Sequence, residues 1–345
     1  MKTYPSDYHV AVVGATGAVG QTMIALLEQR QFPVKTLTAL ASARSVGQQL
    51  EFKRTQVDVQ DLAQFNPARV DIALFSAGSQ IAKEYAPRFV SAGAVVIDNS
   101  SAFRLEHDVP LVIPEVNLEM LDRRPRGIVA NPNCSTMQML TALAPLHRAY
   151  GIERIIVSTY QSVSGAGRLA MEELGKQTAN MLAFQSIQPE CFPVQIAFNV
   201  IPHIDEFLDN GYTKEEMKLV WETRKILADD SIQVTATAVR VPVFYGHSEA
   251  VTIQTRQCIE PGEARALLER AAGVQVVDSL QPGGYPTPIT HASGQDGVYV
   301  GRIRADLSSA NGLNLWIVSD NLRKGAALNA VQLAECIVTK GLDRT

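Results

Sequence analysis

Cys134 stands in Asn131-Pro132-Asn133-Cys134-Ser135-Thr136, after the apolar run Gly127-Ile128-Val129-Ala130 and directly before the helix-like stretch Thr136–Leu143. A thiol at the first turn of a helix sits where backbone N–H groups converge and the dipole favours negative charge. That setting favours the thiolate, the form that attacks. A thiolate captures acyl groups as thioesters, whose carbonyl is more electrophilic than a carboxylate and whose sulfur leaves readily. A second motif, Gly14-Ala15-Thr16-Gly17-Ala18-Val19-Gly20, follows an apolar strand-like run and opens a helix-like one. Together the two motifs predict covalent thioester chemistry coupled to hydride transfer.

In the glycine motif, Gly14 suits the tight turn, Gly17 lets the backbone approach a pyrophosphate, and Gly20 allows close helix–strand packing. The GxxGxxG spacing is a variant of the dinucleotide fingerprint; the alternative is a glycine turn that holds no nucleotide. Sites that prefer NAD place an acidic residue at the end of the second strand, for the ribose 2′-hydroxyl. Here that position reads Ala41-Ser42-Ala43-Arg44-Ser45. A guanidinium flanked by the hydroxyls of Ser42 and Ser45 suits a 2′-phosphate, and the segment carries no carboxylate to repel it. NADP(H) is the expected cofactor.

Thioester chemistry also needs a proton carrier and groups that hold the substrate. Among six histidines, His247 is distinctive: it follows Gly246, where the strand-like run from Arg240 breaks and restarts, and a broken strand can aim a side chain into a cleft. His9, His107, His147, His203 and His291 read as structural or surface residues. Arg240 suits a bidentate clamp on a carboxylate; the alternative is a surface arginine. Gln161 ends a strand-like run and precedes small residues that let backbone approach a ligand, Ser162-Val163-Ser164-Gly165-Ala166-Gly167. Glu215 and Lys218 share one face of a helix start, either as a surface ion pair or as a holder for a dipolar substrate. Cys191, Cys258 and Cys336 read as buried small hydrophobes.

The elements that position these residues fall into two patterns. Apolar runs at Tyr8–Val13, Val34–Leu40, Val70–Phe75 and Ala94–Asp98 alternate with helical periodicity at Thr22–Arg30 and Ile81–Ala92, which predicts a parallel sheet covered by helices. After Cys134 the strands Ile155–Tyr160, Gln233–Val243, Glu249–Thr255 and Leu313–Ser319 predict an α+β domain with a broad sheet and few helices, Thr213–Asp229 among them. A last helix, Gly325–Thr339, is placed to return to the first domain. At 345 residues the chain holds two domains of ordinary size. The net charge of −4 with no basic block excludes nucleic acid as a main partner. No apolar run is long enough to span a bilayer, no signal-peptide core is present, and four scattered cysteines form no metal-type pair. These features predict reduced thiols, no metal, and the cytoplasm.

Taken in order, several motifs resemble the aspartate-semialdehyde dehydrogenase family, bacterial type, over nearly the whole chain. They are the loop 14–20, Ala41–Ser45, Asn99-Ser-Ser-Ala-Phe-Arg104, Asn131–Thr136, Gln161–Gly167, Glu215–Lys218, Arg240 through Ser248, and Asp320-Asn-Leu-Arg-Lys-Gly325. The resemblance implies an α/β fold: a Rossmann-type NADP domain, 1–133, completed by a C-terminal helix, 323–345, and a catalytic and dimerisation domain, 134–322. The second resembles the glyceraldehyde-3-phosphate dehydrogenase-like C-terminal domain. It further implies that Cys134 is the acyl nucleophile and His247 the acid/base, taking the proton of a thiohemiacetal as the aldehyde departs. Gln161 positions the substrate, Arg240 binds its α-carboxylate and Glu215 its amino group. Arg104 and Lys218 hold phosphate, assisted by Asn99. Thr16, Gly17, Ala18, Val19, Arg44, Ser45, Ser164, Gly165 and Asn321 contact NADP. Aspartyl phosphate, aspartate semialdehyde and phosphate are the implied small molecules, in a homodimer serving the aspartate pathway. The neighbouring alternatives are N-acetyl-γ-glutamyl-phosphate reductase, disfavoured by Glu215 because its substrate amine is uncharged, and a non-catalytic NADP-binding paralogue. Glyceraldehyde-3-phosphate dehydrogenase is more distant.

Overall fold

The computed structural model describes residues 7–341, and the chain divides into two compact units, 1–133 with 326–345, and 134–325. The expected C-terminal segment 323–345 therefore ends in residues 342–345, outside the described ones.

The first unit holds a seven-stranded sheet in the order β3-β4-β2-β1-β5-β6-β7. Its elements are β1 (Tyr8–Val13), α1 (Ala18–Gln29), β2 (Val34–Ala41), β3 (Gln49–Phe52), β4 (Thr55–Asp61), β5 (Ile72–Phe75), α2 (Ser79–Ser91), β6 (Val95–Asp98), α3 (Pro114–Asn117) and β7 (Ile128–Ala130). All neighbours pair in parallel except β3 with β4. The strand order reverses at β1, with β2 on one side and β5 on the other. The loops after β1 and β5 thus meet at the switch point where such sheets bind ligands. The strands β1, β5 and β6 are near-continuous apolar runs because helices cover both of their faces. The C-terminal helix completes this core: Leu328, Val331, Leu333, Ala334, Ile337 and Val338 pack with Met23, Leu26 and Leu27 of α1. Arg30 grips the buried Glu335 of that helix through two hydrogen bonds, of 2.8 and 2.9 Å, the fork geometry that favours arginine.

The second unit holds a six-stranded mixed sheet in the order β11-β12-β13-β10-β8-β9. It comprises α4 (Cys134–Tyr150), β8 (Ile152–Gln161), α5 (Arg168–Leu182), α6 (Lys214–Leu227), β9 (Gln233–Arg240), β10 (His247–Thr255), α7 (Pro261–Leu268), β11 (Val274–Val276), β12 (Val298–Ala305) and β13 (Gly312–Ser319). A wide π-type turn, Arg323–Ala327, precedes α8 (Leu328–Lys340). Helices α4 and α6 cover one face of the sheet. The opposite face carries the half-exposed Ile156 and Tyr160, the latter against Trp316 at 5.6 Å between ring centroids. Thr213 caps α6 with a reciprocal pair of hydrogen bonds to Glu216, which fixes where the helix bearing Glu215 and Lys218 begins.

Several elements differ from expectation. Helix α1 starts at Ala18, four residues early, because the glycine loop itself opens it. Strand β9 stops at Arg240 rather than Val243. Strand β4 escapes recognition because only one of its faces is covered. Strand β12 escapes because Gly301 and the positive φ of Arg302 interrupt its alternation. Helices α5 and α7 were not anticipated. Among the described residues no helix is long and apolar enough to cross a membrane.

Candidate active site

In the second unit, sheet register assembles the polar residues. Gln161 of β8 pairs with Arg240 of β9, and His247 of β10 pairs with Ser319 of β13. Ser248 pairs with Tyr160, so one antiparallel step places His247 opposite Gln161. Arg240, Gln161, His247 and Ser319 therefore form one row across four strands on the helix-covered face, and all four are buried. Arg240 is thus not a surface residue.

The thiol comes from α4, whose first residue is Cys134, and it remains partly accessible. It lies close enough to Arg240 to favour that guanidinium's charged form, as Glu215 also does, against burial, which pulls the Arg240 pKa down. Gly325 packs directly on the cysteine: a Cβ there would stand 2.9 Å from Cys134 Cβ. Only a glycine lets the Asp320–Gly325 turn pass this close.

Ser162 mounts two of these side chains. Its N–H donates to His247 Nδ1 at 3.1 Å, and its carbonyl accepts from Arg240 Nη1 at 2.7 Å. Because Nδ1 accepts, the neutral ring carries its proton on Nε2. Nε2 is buried and has no hydrogen-bond partner among the described residues. Burial first, and then the Arg240 charge, push the His247 pKa down to about 3, against the opposing pull of Glu215 and a backbone bond at Gly246. At neutral pH the ring therefore presents an Nε2–H. Gly165 leaves the space this needs: a Cβ there would stand 3.1 Å from Arg240 Nη1 and 3.3 Å from His247 Nε2.

Ser164 and Asn321, expected on the cofactor, are buried in this mount. Asn321 Oδ1 accepts from Ser162 Oγ, Ser164 Oγ and Gly246 N at 3.0, 3.1 and 3.0 Å. Glu215 is buried as well. Its carboxylate accepts from Gln161 Nε2 at 3.1 Å and from Lys218 Nζ at 2.8 Å. Lys218 also donates to Asp205 at 2.7 Å, a residue with no local sequence signal. Burial lowers the Lys218 pKa, but the two carboxylates outweigh it and the net shift is upward. The Glu215–Lys218 pair is accordingly an interior pair and not a solvated one.

In the first unit, the end of β1 meets the loop after β5. Gly14 has φ of +84°, and a Cβ there would stand 2.9 Å from the Ser76 carbonyl carbon. A Cβ at Gly20 would collide with the Gly14 carbonyl. A cavity of about 600 Å³ opens here, lined by Gly14, Thr16, Gly17, Ser42, Arg44 and Ser45, and also by Asp61, Ile81 and Tyr85. The first turn of α1 carries no acidic side chain, which suits an anion. The glycine cradle, bare helix start and cavity fit a dinucleotide. The 41–45 segment has no carboxylate, but Asp61, at the end of β4, pairs with Ala41 in the sheet and lines the same cavity.

Arg104 is buried, and its guanidinium donates to the carbonyls of Asn131 and Asn99, each at 2.9 Å. Asn131 in turn bonds the Asn99 side chain and accepts from Asn329 of α8 at 2.7 Å. The loop after β6, the end of β7 and the last helix are thereby tied together. Cys191 and Cys258 are exposed and Cys336 is half-buried, contrary to the expectation of buried thiols. The 190–191 and 257–258 segments are surface connections that their local apolar content did not reveal. Among the described residues no group of three or more His, Cys, Asp or Glu side chains is placed to hold a metal ion.

The nucleotide-type sheet and the cysteine-bearing mixed sheet together define an oxidoreductase of the semialdehyde dehydrogenase class. Residues 9–124 match the semialdehyde dehydrogenase NAD binding domain, and residues 143–324 match the semialdehyde dehydrogenase dimerisation domain. The aspartate-semialdehyde dehydrogenase of Legionella pneumophila is 57% identical over 330 residues, 95% of each chain. Aspartate semialdehyde dehydrogenase II of Vibrio cholerae, solved in complex with ASA, superposes with a TM-score of 0.96 at 52% identity, covering 98% of this chain and all of that one. The Candida albicans enzyme with NADP is more distant, with a TM-score of 0.76 and 26% identity over 96% of this chain and 98% of that one. The chain belongs to the aspartate-semialdehyde dehydrogenase family.

Proposed function

We propose that this chain catalyses the NADP-linked, phosphate-dependent interconversion of L-aspartyl-4-phosphate and L-aspartate 4-semialdehyde through a thioester on Cys134. The observation that carries this reading is the buried row Arg240–Gln161–His247, with Glu215 bonded to Gln161 and Cys134 beside Arg240. It offers one cation for a carboxylate, one carboxylate for an ammonium, and a nucleophile with an N–H donor for the carbon between them.

In the aldehyde-forming direction the Cys134 thiolate attacks the acyl phosphate and phosphate leaves, held by Arg104, Lys218 and Asn99. The cofactor supplies a hydride when bound. The oxyanion formed on the acyl carbon accepts a hydrogen bond from His247 Nε2–H. It collapses as the carbon–sulfur bond breaks, releasing the aldehyde and the thiolate. No proton is consumed, so the buried, uncharged ring serves as a donor and keeps its proton. Arg240, its plane set by Ser162, clamps the α-carboxylate. Glu215 takes the substrate ammonium and so releases Lys218 to the phosphate. This need for a charged amine favours an aspartyl substrate over an N-acetylated one. The cofactor contacts proposed are Gly14, Thr16, Gly17, Ala18, Val19, Ser42, Arg44 and Ser45, with Ser164, Gly165 and Asn321 from the second unit. A homodimer through the open sheet face around Tyr160 and Trp316, in the cytoplasm, completes the reading.

The test is reduction of NADP by L-aspartate semialdehyde with phosphate present and absent. A phosphate-dependent rate is expected, with none from N-acetylglutamate semialdehyde; NADPH binding without turnover would refute the enzyme reading. Cofactor choice has its own test. Arg44→Ala is expected to raise the KM for NADP about 10-fold or more, as loss of a charged phosphate contact does, with little change for NAD. Equal effects on the two cofactors would remove Arg44 from 2′-phosphate recognition.

A further inference from the structure

Glu249 is a fully buried carboxyl that the reaction above does not use. It lies two residues beyond His247 on β10, so the two side chains share a face of the sheet. It stands between Thr159 of β8 and Ile317 of β13. Thr159 donates from Oγ1 to Gln161 Oε1 at 3.1 Å, so this second row lies directly under the catalytic one. The groups that act on the Glu249 carboxyl come from the start of α4: Gln138, one turn beyond Cys134, then Ser135, the residue after it. Neither carboxyl oxygen makes a hydrogen bond of ordinary geometry to any described residue, and Gln138 Nε2 makes none either. Cys134, His247, Arg240 and Glu215 lie on this face, and α6, which covers it, adds Lys218 and the buried Glu216 and Glu222; none of them is among the groups that act on the Glu249 carboxyl. Burial opposes the charged form of this carboxyl and outweighs the Gln138 amide and the Ser135 hydroxyl, which favour it, so its pKa is raised well above the ordinary carboxylate value and the protonated form is the stable one.

We propose that Glu249 is a positioning residue, a carboxylic acid held neutral between the strand that carries His247 and the helix turn that carries Cys134. In that form it can both donate and accept, which matches the amide of Gln138 and the hydroxyl of Ser135. It also keeps a negative charge away from the start of α4, where a carboxylate would oppose formation of the Cys134 thiolate. The inference rests on Cys134 as the nucleophile, so its test reads the thiol directly as well as turnover.

Three forms of the full-length protein are compared: wild type, Glu249→Gln and Glu249→Met. The readouts are the pH dependence of Cys134 alkylation by iodoacetamide, followed on the Cys134 peptide because Cys191 and Cys258 are exposed, the infrared carbonyl band of a protonated carboxyl, and kcat and KM for aspartate semialdehyde. Glu249→Met fills the space without hydrogen-bonding ends, and kcat is expected to fall about 10-fold with KM within about 2-fold, the mark of lost positioning. Glu249→Gln is expected to restore most of kcat, to leave the Cys134 titration midpoint within about 0.3 unit, and to lose a carbonyl band present in wild type. A midpoint that drops by about one unit or more in Glu249→Gln would show that the wild-type group is ionised and overturn the proposal. Wild-type kcat in Glu249→Met would overturn the positioning role. If Glu249→Met does not fold, the Glu249→Gln midpoint and the infrared band still decide. Absence of aspartate semialdehyde turnover in wild type would refute the reaction and leave the thiol readout standing.

Discussion

Cys134→Ala is expected to reduce kcat for phosphate-dependent oxidation of aspartate semialdehyde by at least about 10³-fold, because it removes the sulfur on which the acyl intermediate forms. The same variant is expected to bind NADPH with a Kd within about 2-fold of wild type. The glycine loop and the Ser42–Ser45 segment belong to a unit with its own core, on the other side of the Asn133–Cys134 peptide bond. A methyl group in place of the thiol also respects the tight packing against Gly325, so the turn after β13 has no reason to shift. Turnover measured beside cofactor titration separates the two effects. Retained turnover would show that Cys134 is not the nucleophile. Joint loss of turnover and NADPH binding would show that the substitution disturbs the fold instead of the chemistry.

What the sequence disclosed depended on how local each signal was. Cys134 was legible because a proline-broken segment, a polar turn and a helix start adjoin it in the chain. The glycine loop was legible because strand, turn and helix follow one another there. The cross-strand row was visible only as separate residues: Gln161, Arg240 and His247 lie far apart in sequence and meet through register, which no local pattern states. Ser162 acts through its backbone N–H and carbonyl, groups that every residue but proline possesses, so nothing in its side chain advertises the role. Asp61 went unnoticed because β4 alternates weakly at a half-covered position in the sheet. Asp205 lies in an irregular loop and reaches Lys218 only once α6 is in place. Glu249 was legible as part of a strand, but its burial follows from α4 lying over that strand. Local chemistry was therefore readable, and the supporting layer, which exists only in three dimensions, was not.

His247→Asn is expected to lower kcat about 10²- to 10³-fold with the fold preserved, the range for loss of a donor to a developing oxyanion. Asparagine is shorter and can still accept from Ser162 N–H, so the mount for Arg240 survives and KM should change much less than kcat. The variant also has a pH signature. In the folded chain His247 has a pKa of about 3 against its ordinary 6.5, so the unfolded chain binds this proton first as pH falls. Stability contributed by the neutral buried ring is complete above pH 6.5 and is lost progressively as pH falls toward about 3. Asparagine has no such proton to bind. The stability of wild type relative to His247→Asn should therefore decline with falling pH across that window, measured from urea midpoints at several pH values. Above it the difference should be flat. A difference that stays flat throughout would show that the ring titrates as an exposed histidine does, and would remove the premise that His247 enters the reaction as a neutral Nε2–H donor.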